Sequence, residues 1–183
     1  MTNRIIALII LLIISPLFML ITILIWLEDG FPIFFKQKRV GDNYTFFMIY
    51  KFRSMKKNTP NVATHLLCDP KQYLLIFGSL IRKFSLDELP NLINIIKGEM
   101  VLVGPRPALY NQDDLMALRI AAGVEKLKPG ITGWAQINGR DELSLEDKVR
   151  LEKEYLDRKS VLFNIKIIIL TFTYVFSCKG VKH

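Results

Sequence analysis

Histidine and cysteine are scarce in this chain, with two of each in 183 residues. Cys68 and Cys178 cannot build a disulfide framework, which excludes the small secreted scaffolds held together by bridges. His65, with a lone Cys68 at ligand spacing, and His183 have too few ligands near them for a three- or four-coordinate set, so a zinc site is not expected. No Gly-x-Ser-x-Gly elbow, Walker A loop or GxGxxG fingerprint occurs, and internal repeats and low-complexity tracts are missing too. Charge is thin: 23% of residues are charged against 51% hydrophobic, and mean hydropathy is positive. That balance excludes a disordered polyelectrolyte or a collagen-like chain.

The charge that is present leans positive, at a formal +8, and its placement is uneven. Residues 28–57 and 159–183 each carry +4, whereas residues 58–158 sum to −1. The positive excess flanks the apolar regions, which suits an anionic membrane or a phosphate-rich substrate better than nucleic acid. Ile5–Leu27 is a run of 23 residues without a charge. As one helix it would be roughly 34 Å long, enough to cross a hydrocarbon core. It is too long for a signal-peptide core, and Ile25-Trp26-Leu27-Glu28-Asp29 offers no small-residue cleavage site. Ser15-Pro16 falls near its middle, where proline removes a backbone donor and serine can bond a freed carbonyl. Two readings stand at this point: a kinked spanning helix, or a broken helix that enters and leaves on one face. The basic residues after Leu27 place that side in the cytoplasm.

Pro32–Lys38 and Thr45–Arg53, rich in aromatic and β-branched residues, read as a β-hairpin. In its second strand Phe47, Ile49, Lys51 and Arg53 share a face by period two, so two cations project together. Asn58–Pro70 reads as a loop and Lys71–Phe84 as a helix; a second helix ends at Lys97 with Gly98 as its terminator. Met100–Val103 is a short strand or buried turn, Asn111–Leu127 a helix and Ser144–Arg158 a charged helix. Val161–Cys178 is apolar but interrupted by Asn164 and Lys166, which fits an interfacial helix or a core helix. The fold class is α+β and mostly helical.

Asp87-Glu88 leads the candidates for chemistry. Ser85-x-x-Glu88 matches a capping box, although Pro90 argues for a helix that starts nearer Leu89. An ionised aspartate can attack phosphorus, and paired carboxylates suit Mg²⁺. Gly104-Pro105-Arg106-Pro107 sets one guanidinium between two residues of fixed φ, and the guanidinium fork matches phosphate oxygens. The glycine-rich stretch 130–140 offers backbone N–H groups for an anion nest, with Arg140 as its cation and Trp134 as a packing residue. Asp113-Asp114 and Glu146-Asp147 read as solvated helix charges.

In order, the Ser15-Pro16 segment, Tyr50-Lys51-Phe52-Arg53-Ser54-Met55, Ser85-Leu86-Asp87-Glu88-Leu89-Pro90, Lys97-Gly98-Glu99-Met100, Gly104-Pro105-Arg106-Pro107 and Lys128–Arg140 resemble the bacterial sugar transferase family. These are small monotopic polyprenyl-phosphate phosphoglycosyl transferases that initiate capsule, O-antigen or glycoprotein glycan synthesis. The resemblance implies transfer of a sugar-1-phosphate from a UDP-sugar to undecaprenyl phosphate with release of UMP; an N-acetylated amino sugar is the expected donor, with galactose and glucose as alternatives that the sequence does not separate. It implies Mg²⁺ as cofactor and Asp87 and Glu88 as the catalytic and metal-holding pair. Lys51, Arg53, Arg82, Arg106 and Arg140 become substrate-binding cations. Residues 1–27 become a re-entrant membrane helix bent at Ser15 and Pro16, and 28–183 a cytoplasmic domain on the bacterial inner membrane, with an interfacial helix over 161–178. Lipid bilayer is an expected partner and nucleic acid is not; a homodimer is left open. Asn164 stands where many members carry an aspartate, which puts an ionic role there in doubt. The rival reading is a membrane-anchored module that binds nucleotides or anionic lipid without catalysis.

Overall fold

The computed structural model describes residues 1–60, 69–139 and 142–176. The apolar N-terminal run forms two helices, α1 (Thr2–Ile13) and α2 (Ser15–Asp29), bent by 65° at Ile14. Pro16 lies in the first turn of α2, where its missing N–H would have had no helical partner, and Ser15 Oγ donates to Leu12 O at 2.8 Å. Among the described residues no single helix is long and apolar enough to cross a membrane. Most apolar side chains of the pair are exposed, yet each helix rests one stripe on the body. Ala7 of α1 joins a buried cluster with Phe47, Ile49, Leu92, Ile95 and Met100, and Ile21 and Ile25 of α2 pack with Ile33, Phe52, Leu75 and Ile81. Both outer ends are tied down as well. Asn3 Oδ1 accepts the Leu102 N–H and Arg4 donates to Lys97 O, while Glu28 accepts the Ile76 N–H.

The hairpin forms as expected. Strand β1 (Phe34–Val40) pairs antiparallel with β2 (Phe46–Phe52), in a register that sets Lys36 opposite Tyr50 and Arg39 opposite Phe47. Alternation puts Phe47, Ile49 and Lys51 on the inner face; the first two are buried and the third continues toward the site. The helix expected over Lys71–Phe84 is shorter. Only Gly78–Lys83 forms α3, because Pro70–Tyr73 close as a 3₁₀ turn and Leu74 then bridges Met55, with Lys56 N donating to Tyr73 O and Leu75 N to Ser54 O. Gly78 passes so close to Ser54 O that an added Cβ would lie 2.2 Å from it.

Helix α4 (Asn91–Lys97) ends at Gly98 in the left-handed conformation, as its position suggested. Its buried Asn94 fastens it to β2: the side chain accepts the Tyr50 N–H at 3.1 Å and donates to Met48 O at 2.7 Å. A second, parallel pair joins β3 (Val101–Val103) to β4 (Gly130–Thr132). Helix α5 (Asp113–Ala122) stops at left-handed Gly123, earlier than the Leu127 expected. The glycine-rich stretch is no open loop, since it supplies β4 and α6 (Trp134–Ile137). Its glycines serve close backbone approach in place of the expected nest. Gly130 N donates to Pro105 O, Gly104 N donates to Thr132 O, and a Cβ on Gly130 would meet Gly104 N at 2.1 Å. Helix α7 (Leu145–Arg158) is capped by Ser144, and α8 (Val161–Phe176) closes the described chain. Phe163 and Ile167 of α8 are buried, whereas Leu162 is 80% and Phe172 61% exposed. Trp134 packs on Phe163 with ring centroids 5.0 Å apart, the packing role read from sequence.

Candidate active site

Asp87 and Glu88 lie on a single 3₁₀ turn, Leu86–Glu88, between α3 and α4. Ser85 enters that turn with a left-handed φ of 54°. The capping box does not form, for the Ser85 side chain makes no cap hydrogen bond; the Glu88 N–H instead reaches the Ser85 carbonyl at 3.2 Å. The physical reason is Pro90. It delays α4 until Asn91 and leaves Ser85 too far upstream to cap it.

The turn packs against the end of β2, which brings Lys51 to the dyad. Lys51 Nζ donates to Glu88 Oε1 at 2.7 Å and stands 3.9 Å from Asp87 Oδ2. Arg106 Nη2 reaches the same Glu88 oxygen at 3.2 Å. Glu88 therefore ties two cations together, while Asp87 feels Lys51 through charge at a distance beyond hydrogen bonding. Burial pushes the Asp87 carboxyl up to about 6; Lys51, Arg82 and Arg106 pull it down and Glu88 adds to the rise. Arg82, bonded to Ser54 Oγ through Nε at 2.8 Å, is in turn lowered by burial and supported by the charge of Asp87.

A solvent-open cleft of about 240 Å³ adjoins the dyad. Its polar wall holds Arg39, Lys51, Glu88, Asn91 and Arg106, and Ile49, Met100 and Ile131 give it an apolar side. Arg39 arrives from β1 and was not among the residues expected from sequence. Its Nη1 donates to Pro107 O at 3.0 Å and its Nη2 to Gln37 Oε1 at 2.6 Å. Burial, and then the like charge of Arg106, lower it to about 10, with Glu88 opposing.

Arg106 is held from behind. Its carbonyl accepts Arg119 Nη2 at 2.9 Å, and Arg119 forms a two-pronged pair with Glu152, at 2.8 Å from Nε and 2.5 Å from Nη2. Both partners are buried, at 5% and 2% exposed. Neither stood out from motifs. The available signal was periodicity, since Arg119 shares a stripe with Leu115 and Met116, and Glu152 one with Val149 and Tyr155.

Another expected residue goes elsewhere. Arg53 does not join Lys51 at the dyad. It follows the last strand residue and donates to Pro32 O at 2.7 Å, to Gly30 O at 2.6 Å and to the Asp29 carboxylate, closing the end of α2. Arg140 lies outside the described residues, as do both histidines and both cysteines. Asn164 bonds the Tyr155 hydroxyl at 2.9 Å, a packing partnership that needs no charge.

Among the described residues no group of three or more His, Cys, Asp or Glu could hold a metal by itself. The Asp87-Glu88 oxygens still fit Mg²⁺, which takes one or two carboxylates and completes its shell with water and substrate phosphates. Asp87 suits that role best, because Glu88 Oε1 already accepts Lys51 and Arg106.

Comparison with known proteins identifies the family. The model of the family described as bacterial sugar transferase matches residues 1–178. The chain is 44% identical to the uncharacterized sugar transferase EpsL of Bacillus subtilis, over 85% of this chain and 76% of that protein. It is 39% identical to the UDP-glucose:undecaprenyl-phosphate glucose-1-phosphate transferase of Escherichia coli, over 91% of this chain but 38% of the relative. It is 32% identical to the UDP-N-acetylgalactosamine-undecaprenyl-phosphate N-acetylgalactosaminephosphotransferase of Aeromonas hydrophila, over 92% and 41%. With nearly the whole chain matched, this protein belongs to the bacterial sugar transferase family and is an enzyme, a phosphoglycosyl transferase.

Proposed function

We propose that this enzyme moves a sugar-1-phosphate from a UDP-sugar to undecaprenyl phosphate by a two-step exchange through Asp87. One observation carries the reading: a carboxylate only 15% exposed, without a hydrogen bond from Lys51, ringed by Lys51, Arg82 and Arg106. In the first step an Asp87 oxygen bonds to the β-phosphorus and the bridging P–O bond breaks, its electron pair leaving with UMP. In the second, an oxygen of the lipid phosphate bonds to the same phosphorus, and the Asp87 carboxylate leaves. The two anionic substrates then occupy the site in turn, which avoids their mutual repulsion. Lys51 and Arg106, fixed by Glu88, stabilise charge on the phosphoryl oxygens. Asp87, with Glu88 beside it, would hold Mg²⁺, which would neutralise phosphate charge when bound.

The test is UMP release without lipid. The full chain given a UDP-sugar and Mg²⁺ should release UMP about once per active site, and undecaprenyl phosphate should then restore turnover. Release only when lipid is present, with a sugar that supports turnover, overturns the two-step route. The proposed donor carries an N-acetylated amino sugar, the kind named for the Aeromonas relative; the one from Escherichia coli is named for glucose. A panel of UDP-sugars decides, and preference for UDP-glucose would overturn that choice of sugar without touching the reaction.

The bent α1–α2 pair supports re-entry into the bacterial inner membrane, with the catalytic body in the cytoplasm. Both ends of the pair are bonded to the same body, and α1 and α2, of 12 and 15 residues, are each too short to span alone. The exposed apolar face of α8 is the proposed interfacial helix. A tag on the N-terminus should be reached by a membrane-impermeant label only from the cytoplasmic side. Labelling from the opposite side would make the pair a kinked span.

A further inference from the structure

Two polar atoms on the cleft wall are buried without a hydrogen-bond partner: Arg39 Nε and Asn91 Oδ1. Such atoms are costly when left unmet, and two of them on residues that line one cleft beside a reactive dyad point to a ligand that meets them. Charge says which kind. Among the described residues that line the cleft, Arg39, Lys51 and Arg106 stand beside the single carboxylate of Glu88, so positive charge is in excess on its wall. Arg39 adds to that excess and has Arg106 as a like-charged neighbour, an arrangement that a bound dianion stabilises. Both Nη groups of Arg39 are engaged by Pro107 O and Gln37, which fixes the guanidinium before any ligand arrives. Asn91, 1% exposed at the start of α4, offers its N–H₂ to a phosphoryl oxygen once the carboxamide is turned over.

We propose that Arg39 and Asn91 are substrate-contacting residues that hold a phosphoryl group in this cleft, beside the one attacked by Asp87. The proposal rests on the reaction set out above and adds two residues to it. The phosphoryl group belongs to the nucleotide donor or to the lipid acceptor, and kinetics separate them. The full chain in phospholipid nanodiscs is assayed for the KM of its UDP-sugar and of undecaprenyl phosphate, and for the rise in Tm caused by UDP. Arg39→Gln is expected to raise one KM by about tenfold or more, the cost of a lost charge-assisted hydrogen bond. A raised UDP-sugar KM with a lost UDP-induced rise in Tm assigns the cleft to the donor; a raised lipid KM with that rise kept assigns it to the acceptor. Asn91→Ala carries the same expectation, and serves alone if Arg39→Gln does not fold. A folded Arg39→Gln or Asn91→Ala enzyme with both KM values and the UDP effect within about twofold of wild type overturns the proposal, even if its Tm without ligand has fallen. Wild-type protein inactive with every UDP-sugar and undecaprenyl phosphate would instead overturn the proposed reaction and this assignment with it.

Discussion

Replacing Asp87 with asparagine is expected to abolish UMP release and, in the same protein, to raise its melting temperature. The first effect follows from the proposed role: an amide does not form the phosphosugar adduct, so turnover should fall by ~10³-fold or more, as when other nucleophiles are removed. The second follows from linkage. The Asp87 carboxyl stands at about 6 in the fold against an ordinary value of 3.8, so the fold favours its protonated form. Its ionisation therefore opposes folding. That cost is fully present above pH 6 and fades as pH falls through the interval from 6 to 3.8. At pH 7.5 it is on the order of 2–3 kcal/mol, and a neutral isostere removes it. For a chain of this size the gain corresponds to a rise of about 5–10 °C. Thermal scans in EDTA at pH 7.5 and at pH 4.5 check this, because a bound cation would hide the effect. The stabilisation should be present at pH 7.5 and mostly gone at pH 4.5. An Asp87→Asn protein that melts at or below wild type at pH 7.5 would show that the surrounding cations outweigh burial. Full UMP release by that variant would remove Asp87 from the chemistry.

The same carboxylate shows what could be read from the chain and what could not. The dyad stood out as two adjacent acids before a proline, and Lys51 was expected to share a strand face with Phe47 and Ile49 by period two alone. The break at Ser15-Pro16 followed from local chemistry, since proline lacks a donor wherever it falls. Arg53 fits the same period as Lys51 and ends up elsewhere because pairing stops at Phe52, and the partner that claims it, Asp29, is far away in sequence. Residues 71–77 were expected within one helix, but 71–73 close a 3₁₀ turn and the bridge of Leu74 to Met55 interrupts the run before α3. Arg39 shows a third limit. It sits on a strand near a turn, where a surface cation is the ordinary expectation, and only the approach of Pro107 and Arg106 from a distant loop buries it. Motif spacing reports residues that neighbour one another along the chain. The cleft is assembled from β1, β2, α4 and the Arg106 loop, whose mutual approach depends on non-local contacts such as the Asn94 bridge.

The largest stability loss is expected behind the site, from Glu152→Gln. Glu152 and Arg119 are buried and meet through two hydrogen bonds, and Arg119 extends one of them to the Arg106 carbonyl. Removing one charge leaves the other desolvated and uncompensated, which typically costs about 3–5 kcal/mol. A Tm lower by roughly 10 °C is expected on that scale. Turnover should fall as well, because Arg106 is held from one side by Pro105 and Pro107 and from the other by this pair. Stability and positioning are separated by Arg119→Met combined with Glu152→Leu. Apolar residues of similar volume remove both charges, so most of the lost stability should return. The Arg106 carbonyl still lacks its donor in that protein, and kcat should stay well below wild type at saturating UDP-sugar and lipid. Recovery of both Tm and kcat in the double variant would make the pair a packing element alone. Recovery of Tm with kcat still low would show that a buried ion pair, outside every motif of the sequence, sets the aim of the arginine that faces the dyad.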